Sequence, residues 1–509
     1  MLRKIRTIFA ILFFVCITLL FLDFTGVTHT YLGWMAKLQF LPALLALNVG
    51  VIGLLLVLTL IFGRIYCSVI CPMGVFQDVI AWFGKRFRSK KSRKVPYNFS
   101  PAKSALRYGV LGVFIFALIG GIGSLVALLA PYSAYGRIAS SLFQPLYRWG
   151  NNLLAAIAEH YESYAFYEVE IWMRSLQTLL IAVITLLVVG CLAARHGRTY
   201  CNTICPVGTV LGIVARFSLF RVRLDLEKCK QCSLCTRNCK AACLDYQQGK
   251  VDYSRCITCG DCLTQCKHDA LHYAFAWPKT SSTTPTKTAG VPPKTNQSLR
   301  TFLALIGAGA VSALRSQTIP KATDVKLDGG LAPLVPKQQP RRATLITPPG
   351  AVSARNLYQH CTGCQLCVSA CPNQVLRPSS DLMTLMQPVV SYEKGYCRPE
   401  CVKCSEVCPA GAIKPITVAD KSAVHVGHAV WVKERCLPIR DGQACGNCAR
   451  HCPTNAIEMV SIDANDPKSL LIPVVNDEVC IGCGACEHLC PSNPLSAIYV
   501  EGYQVQRIN

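Results

Sequence analysis

Twenty-four of the chain's 31 cysteines fall into six quartets, with two or three residues between most neighbours, and no other feature restricts the possible folds so strongly. Thiols at this spacing converge on one inorganic centre more readily than they bridge without strain. The first two quartets are Cys229, Cys232, Cys235 and Cys239 in CKQCSLCTRNC, and Cys256, Cys259, Cys262 and Cys266 in CITCGDCLTQC. Each contains the spacing that holds a [4Fe-4S] cube. Three close cysteines cover three iron corners, and the distant fourth usually reaches the neighbouring cube. One cube is therefore expected on Cys229, Cys232, Cys235 and Cys266, and the other on Cys256, Cys259, Cys262 and Cys239. Cys243 competes with Cys239 for the last position, and Lys240 and Lys267 stand where proline usually follows the fourth cysteine.

Four further quartets each end in Cys-Pro: Cys361, Cys364, Cys367 and Cys371; Cys397, Cys401, Cys404 and Cys408; Cys436, Cys445, Cys448 and Cys452; Cys480, Cys483, Cys486 and Cys490. Zinc sites pair two cysteines or histidines in each half and show no recurrent fourth thiol before proline. Four more cubes follow, six in all. The outer two quartets are expected to exchange their fourth cysteines with each other, and the inner two likewise. All 16 cysteines are ligands under either pairing.

Half of the residues are apolar, yet the formal net charge is +24, so apolar and basic residues must be segregated. Four apolar stretches, about 7–25, 40–63, 108–130 and 176–194, approach or exceed the roughly 20 residues that cross a bilayer. They predict four transmembrane helices. No small-residue cleavage site follows Leu22, so the first is expected to be retained. The segment 64–107 carries ten Lys and Arg, including KRFRSKKSRK at 85–94, against one in 26–39 and three in 131–175. By the positive-inside rule the basic loop and both ends of the bundle face the cytoplasm, on anionic headgroups. The basic balance thus needs no nucleic acid, and no groove-reading or aromatic-basic motif is present.

The motif GRIYCSVICPMG at 63–74 returns as GRTYCNTICPVG at 197–208, each at the foot of an apolar stretch. Two helices and a motif, written twice, predict two halves about a pseudo-twofold axis. On a helix Cys67 and Cys71 would share a face, as would Cys201 and Cys205. The prolines point instead to a break at Cys71 and Cys205, with Pro72 and Pro206 opening new helices. The four thiols can meet on the cytoplasmic side as a redox or metal site; two structural disulfides or inert buried thiols are the alternative. Cys16 and Cys191 lie within spans and read as core.

These signals divide the chain into a membrane domain at 1–215, a dicluster ferredoxin domain at 216–277, a Pro/Thr/Lys-rich flexible linker at 278–299, a short apolar segment at 300–316 and a four-cluster ferredoxin domain at 340–509. The fold class is a membrane α-helical bundle of four transmembrane helices in two repeats, with α+β ferredoxin-like [4Fe-4S] dicluster modules. The apolar segment RTFLALIGAGAVSAL is short for a span and admits three readings: an export signal, a surface helix or a fifth span. With Phe-Leu after one arginine it looks like a twin-arginine export segment lacking its second arginine, which would put the last four cubes on the periplasmic side.

Residues 1 to about 275 resemble the NapH family of membrane quinol dehydrogenase subunits, and the related NosR and CcoG proteins, through the two YCxxxCP motifs, four apolar stretches and a dicluster tail. The remainder resembles NapG, through the export-like segment, ITPPGAVSARNLYQHC before the first of the later quartets, and four quartets in order with the long gap between Cys436 and Cys445. The resemblance implies an inner-membrane, multi-pass protein with a cytoplasmic first ferredoxin domain, passing electrons from menaquinol and the quinone pool to a periplasmic reductase or cytochrome. The CcoG likeness implies an alternative, a metal-reducing maturation factor using Cys67, Cys71, Cys201 and Cys205. A quinol site calls for an apolar slot with a hydrogen-bonding end; PYSAYGR at 131–137 offers Tyr132, Tyr135 and Arg137. No haem-attachment, flavin or nucleotide-binding pattern is found.

Overall fold

Leu2–Leu22 forms α1, an uninterrupted apolar helix of 21 residues, about 31 Å long at 1.5 Å per residue. The computed structural model describes residues 2–87, 97–163, 165–171, 174–275, 337–463, 465–466 and 469–508. The predicted linker at 278–299 and apolar segment at 300–316 lie outside the described residues, as does most of the basic run. The other helices that build the site are α2 (Val49–Phe62), α3 (Pro72–Phe87), α4 (Ser104–Ile119), α5 (Pro131–Ile138), α6 (Gln144–His160), α7 (Leu176–His196) and α8 (Pro206–Ala215).

Two of the four expected spans are continuous. α1 and α7, 21 residues each, are long and apolar enough to cross a bilayer. The second expected span is broken: a short helix Phe40–Leu45 is separated from α2 by Leu47 in the left-handed region and Asn48, whose side chain accepts from the Val51 N–H. The third is broken after α4 by Gly120 and Gly121, the latter at φ 69°, before a short helix Gly123–Leu129. Asn48 and the glycine pair are local stop signals that the apolar run conceals. The segment 131–175 is likewise no open loop, because α5 is wholly buried and α6 follows it.

Residues 1–276 and 337–509 pack as one unit. The first ferredoxin module is framed by β1 (Phe220–Leu224) pairing antiparallel with β4 (Leu271–Phe275), and between its quartets the chain turns back through β2 (Leu244–Asp245) and β3 (Lys250–Val251). The later module repeats this turn twice. β5 (Leu376–Pro378) and β6 (Pro388–Val390) lie between the quartets at 361 and 397, and β8 (Ile457–Ser461) and β9 (Leu471–Val475) between those at 436 and 480. The longest pairing, β7 (Val424–Trp431) with β10 (Ile498–Ile508), ties these two halves together.

The two ferredoxin modules hold opposite ends of α1. At its N-terminal end Arg3 forms an ion pair with Asp261 at 3.0 Å, and at the foot of α2 Thr258 and Tyr273 donate to the Phe62 carbonyl. Beyond its C-terminal end Lys403 donates to the Thr25 carbonyl at 3.0 Å. Nearby, Gly136 packs so closely on the Cys364 carbonyl that a Cβ there would overlap it.

Candidate iron-sulfur centres and the paired CxxxCP site

Each motif leaves its helix as the prolines foretell. Cys71 (φ −74°, ψ 114°) and Cys205 (φ −66°, ψ 117°) are extended, and α3 and α8 begin at Pro72 and Pro206. All four motif thiols are buried, at 3–4% exposure. Cys205 lies within electrostatic reach of Cys201, Cys71 and Cys67, so the two halves bring their pairs to one site. No disulfide is formed by any cysteine.

The rest of the repeated motif explains how the halves lock. Arg64 Nη2 donates to the Cys201 carbonyl at 3.3 Å, and Arg198 Nη1 donates to the Cys67 carbonyl, each arginine crossing to the other half. A Cβ at Gly74 would overlap the Cys67 carbonyl and stand 2.7 Å from Arg198 Nη1; at Gly208 it would overlap the Cys201 carbonyl and stand 2.8 Å from Arg64 Nη2. Only glycine leaves room for the crossed arginines. Arg64 also reaches Cys67 Sγ at 3.6 Å, and Gln77 Nε2 donates to Cys201 Sγ at 3.1 Å. Burial pushes the Cys201 thiol up, and the buried guanidiniums of Arg198 and Arg64 partly offset this by placing positive charge against it. Reading only the cysteines and prolines misses Arg64, Arg198, Gly74 and Gly208, although all four recur at matching places in the two motif copies.

The quartets are arranged to hold cubes. Cys229, Cys232, Cys235 and Cys266 line one small cavity, as the spacing predicts. Cys239, Cys243, Cys256, Cys259 and Cys262 line a second. Cys239 and Cys243 are 3.6 Å apart, so both remain at the disputed corner; Cys239 is within reach of Cys259 and Cys262 as well as Cys256. In four quartets the residues on both sides of the second cysteine are left-handed: Gln231 and Ser233, Thr258 and Gly260, Gly363 and Gln365, Gly482 and Gly484. A non-glycine residue there costs about 1 kcal/mol, and the resulting curl turns successive N–H groups toward the concavity, as anion-binding nests do. The donor set and this curl fit an anionic cluster of iron and sulfide. Among the described residues no three His, Cys, Asp or Glu side chains are gathered tightly enough for a single ion.

The expected exchange of fourth cysteines in the later module is not what the structure shows. Cys408 stands with Cys361, Cys364 and Cys367, while Cys371 stands with Cys397 and Cys404. Cys490 stands with Cys436 and Cys448, and Cys452 with Cys480 and Cys483. Consecutive quartets pair, not outer with outer and inner with inner. The reason is the hairpin between each consecutive pair, which returns the chain to the quartet it has just left.

Tyr132, Tyr135 and Arg137 are 0–2% exposed. They form no slot at the bundle surface. Tyr132 lies within reach of Cys364 and Cys408, Tyr135 shares a hydrogen bond with Thr18, and Arg137 donates to the Ala127 carbonyl at 2.5 Å while lying between Cys364 and Tyr200. Tyr200 in turn neighbours Cys201 and Cys205.

Paired quartets on curled loops, closed by antiparallel hairpins, define an iron-sulfur electron-transfer protein of the ferredoxin type. A family described as a 4Fe-4S binding domain matches residues 43–91 and 176–226, each match containing one CxxxCP motif, and 4Fe-4S dicluster domains match 360–413 and 443–493. The methylamine utilization ferredoxin-type protein MauM of Methylorubrum extorquens is 34% identical over 174 residues, 32% of this chain and 76% of that protein. The chain belongs to this family of ferredoxin-type proteins. MauM of Methylobacillus flagellatus is 35% identical over 146 residues, 28% of this chain and 61% of its own length. The ferredoxin-type protein NapH of Haemophilus influenzae is 26% identical over 204 residues, 40% of this chain. The chain spans 56% of NapH. No solved structure matches.

Proposed function

We propose that this protein is a membrane-embedded quinol dehydrogenase, oxidising menaquinol and delivering electrons to a periplasmic reductase or cytochrome, with six [4Fe-4S] cubes on its six quartets. One observation carries the reading: each thiol site lies within electrostatic reach of the next. Cys448 neighbours Cys486, Cys483 neighbours Cys397, and Cys404 neighbours Cys367. Arg137 and Tyr200 then join Cys364 to three of the motif thiols, Cys71, Cys201 and Cys205. Arg64 joins those to Cys256, and Cys262 neighbours Cys235. Bound cubes exchange single electrons, at potentials set by burial, charge and hydrogen bonds to sulfur. Becoming a quinone, a quinol releases two electrons and two protons, so the cubes take the electrons one at a time in two successive transfers and the protons pass to water.

The four-helix, two-repeat membrane bundle belongs to this proposal, with α1, α2, α4 and α7 as its apolar helices. The first ferredoxin module faces the basic, cytoplasmic side. The later module, at the other end of α1, faces the periplasm. The NapG-like character of that module, and the NosR and CcoG kinship of the membrane part, are part of the same reading.

Anaerobically purified protein in sealed vesicles tests it. Quinol should reduce the clusters, seen as bleaching of their visible absorption, and a thiol-directed label on a cysteine placed at Glu400 should react only from the periplasmic face. Clusters that stay oxidised with quinol but reduce with dithionite would remove the reading. Copper bound in stoichiometric amount at the four motif cysteines, without quinol oxidation, would mark the metal-handling maturation factor instead.

A further inference from the structure

Where the far ends of the helices meet the loop carrying Cys364 and Cys367, a cavity of about 240 Å³ lies between α6, the start of α7 and that loop. Sites that enclose a drug-sized ligand are roughly 300–1,000 Å³, so this one suits a head group of one or two fused rings with its tail left outside. Ser140, Gln144, Arg148, Arg174, Thr178 and Gln365 supply its polar lining. Among the described residues no carboxylate lines it. Gln144, Arg148 and Gln365 are 2–6% exposed.

The hydrogen bonds in this cavity leave donors over. Arg174 Nη1 donates to Gln144 Oε1 at 3.1 Å, Arg148 Nη1 to the Glu170 carbonyl at 3.5 Å, and Ser140 Oγ to Gln365 Oε1 at 3.1 Å. Arg174 Nη2, Arg148 Nε and Gln365 Nε2 are buried N–H groups with no partner among the described residues. Buried donors are ordinarily satisfied. Three of them around one space call for a ligand rich in acceptor oxygens. Arg148 and Arg174 face the same space, so the cavity concentrates positive charge.

Two placements select among acceptor-bearing ligands. Gln365 lies between Cys364 and Cys367, so whatever it binds rests against the loop of a thiol quartet; Arg174 is itself within reach of Cys367 and Cys371. The cavity also adjoins the first turns of α7, a candidate membrane span, where Leu176 and Leu180 are 58% and 43% exposed and Ile171, in the lining, is 40% exposed. We infer that this cavity binds the ring of a membrane quinol, its oxygens on Arg174, Arg148 and Gln365 and its apolar tail along the exposed face of α7. The inference rests on the quinol-oxidising reading and gives it a site. A lipid phosphate would satisfy the arginines but would draw nothing from Gln365's place in the quartet loop.

The test uses the full, cluster-loaded chain in nanodiscs and reads binding apart from turnover, through the fluorescence quenching of 2-heptyl-4-hydroxyquinoline N-oxide, a quinol analogue. Arg174→Met and Gln365→Leu should each weaken binding by about tenfold or more, the loss expected for a charge-assisted or buried hydrogen bond. Ile171→Trp, from a partly exposed position, should obstruct the site without disturbing the core. The paramagnetic signals after dithionite reduction should be unchanged in all three, which separates lost binding from lost folding. Unchanged affinity in the three variants overturns the assignment even if menadiol reduces the wild type. Displacement of the analogue by phosphatidylglycerol but not by menadione overturns it in favour of a lipid. Wild-type protein that binds the analogue in this cavity yet takes no electrons from menadiol would keep the site and remove the dehydrogenase reading.

Discussion

Lys240 of the first ferredoxin module forms an ion pair with Asp78 of α3, its Nζ 3.6 Å from Oδ1, and a second with Asp261 at 3.0 Å. Asp78 is shared further: Arg198 meets it twice, at 2.9 and 2.8 Å, and Arg6 of α1 approaches to 3.2 Å. Burial alone would raise the Asp78 carboxyl, but Arg198 and Lys240, aided by Arg6, outweigh it and hold it far below the usual carboxylate range. The lysine in place of the usual proline after Cys239 is thereby explained, for it fastens the module to the helices.

Asp78→Asn is expected to cost about 3–5 kcal/mol, because it strands buried cations without their counter-charge. Denaturant unfolding in detergent at neutral pH would measure this. Lys240→Met, which removes one of several cations around Asp78, should cost clearly less.

Gly74→Ala and Gly208→Ala should each open the four-thiol site, since the added methyl group overlaps the carbonyl that the opposite arginine holds. The expected outcome is faster alkylation of Cys67, Cys71, Cys201 and Cys205, followed by mass spectrometry, in both variants alike. Gly53→Ala, where a Cβ meets nothing within 4 Å, is the control and should leave labelling unchanged.

Consecutive pairing of the later quartets predicts a pattern of iron loss. Cys361→Ser with Cys408→Ser should affect one cube, whereas Cys361→Ser with Cys371→Ser should affect two. Iron and sulfide analysis of the anaerobic proteins distinguishes them. Equal losses would contradict the pairing.

At the corner shared by Cys239 and Cys243, Cys239→Ser should release iron or shift a paramagnetic signal, and Cys243→Ser should do neither. Cys239 faces Cys259 and Cys262, whereas Cys243 shares hydrogen bonds with Cys239 and Cys256. The reverse result would assign the ligand to Cys243.

The ferredoxin modules were legible because ligand spacing is a local property: Cys229, Cys232, Cys235 and Cys266 share a cavity as expected. The breaks at Cys71 and Cys205 were legible too, since proline acts on its own neighbourhood. What stayed hidden depends on distant contact. Nothing near Arg64 says that it will hold the Cys201 carbonyl, and nothing in the apolar run at 108–130 outweighs its hydrophobicity until Gly121 is seen at positive φ. The choice of quartet partner is not legible in cysteine spacing, because the short hairpins β5–β6 and β8–β9 carry little sequence signal, yet they decide which cysteine returns to which.

Those hairpins bear on how the protein is made. Each pair of quartets closes on itself within a short, contiguous length of chain, so a ribosome need release only that length before its iron can be installed. Non-local closure is the slow part of folding, and here it is deferred to the docking of finished units. A chain bearing so much oxygen-sensitive sulfur can thus be loaded in instalments, with few thiols left bare at any moment of synthesis.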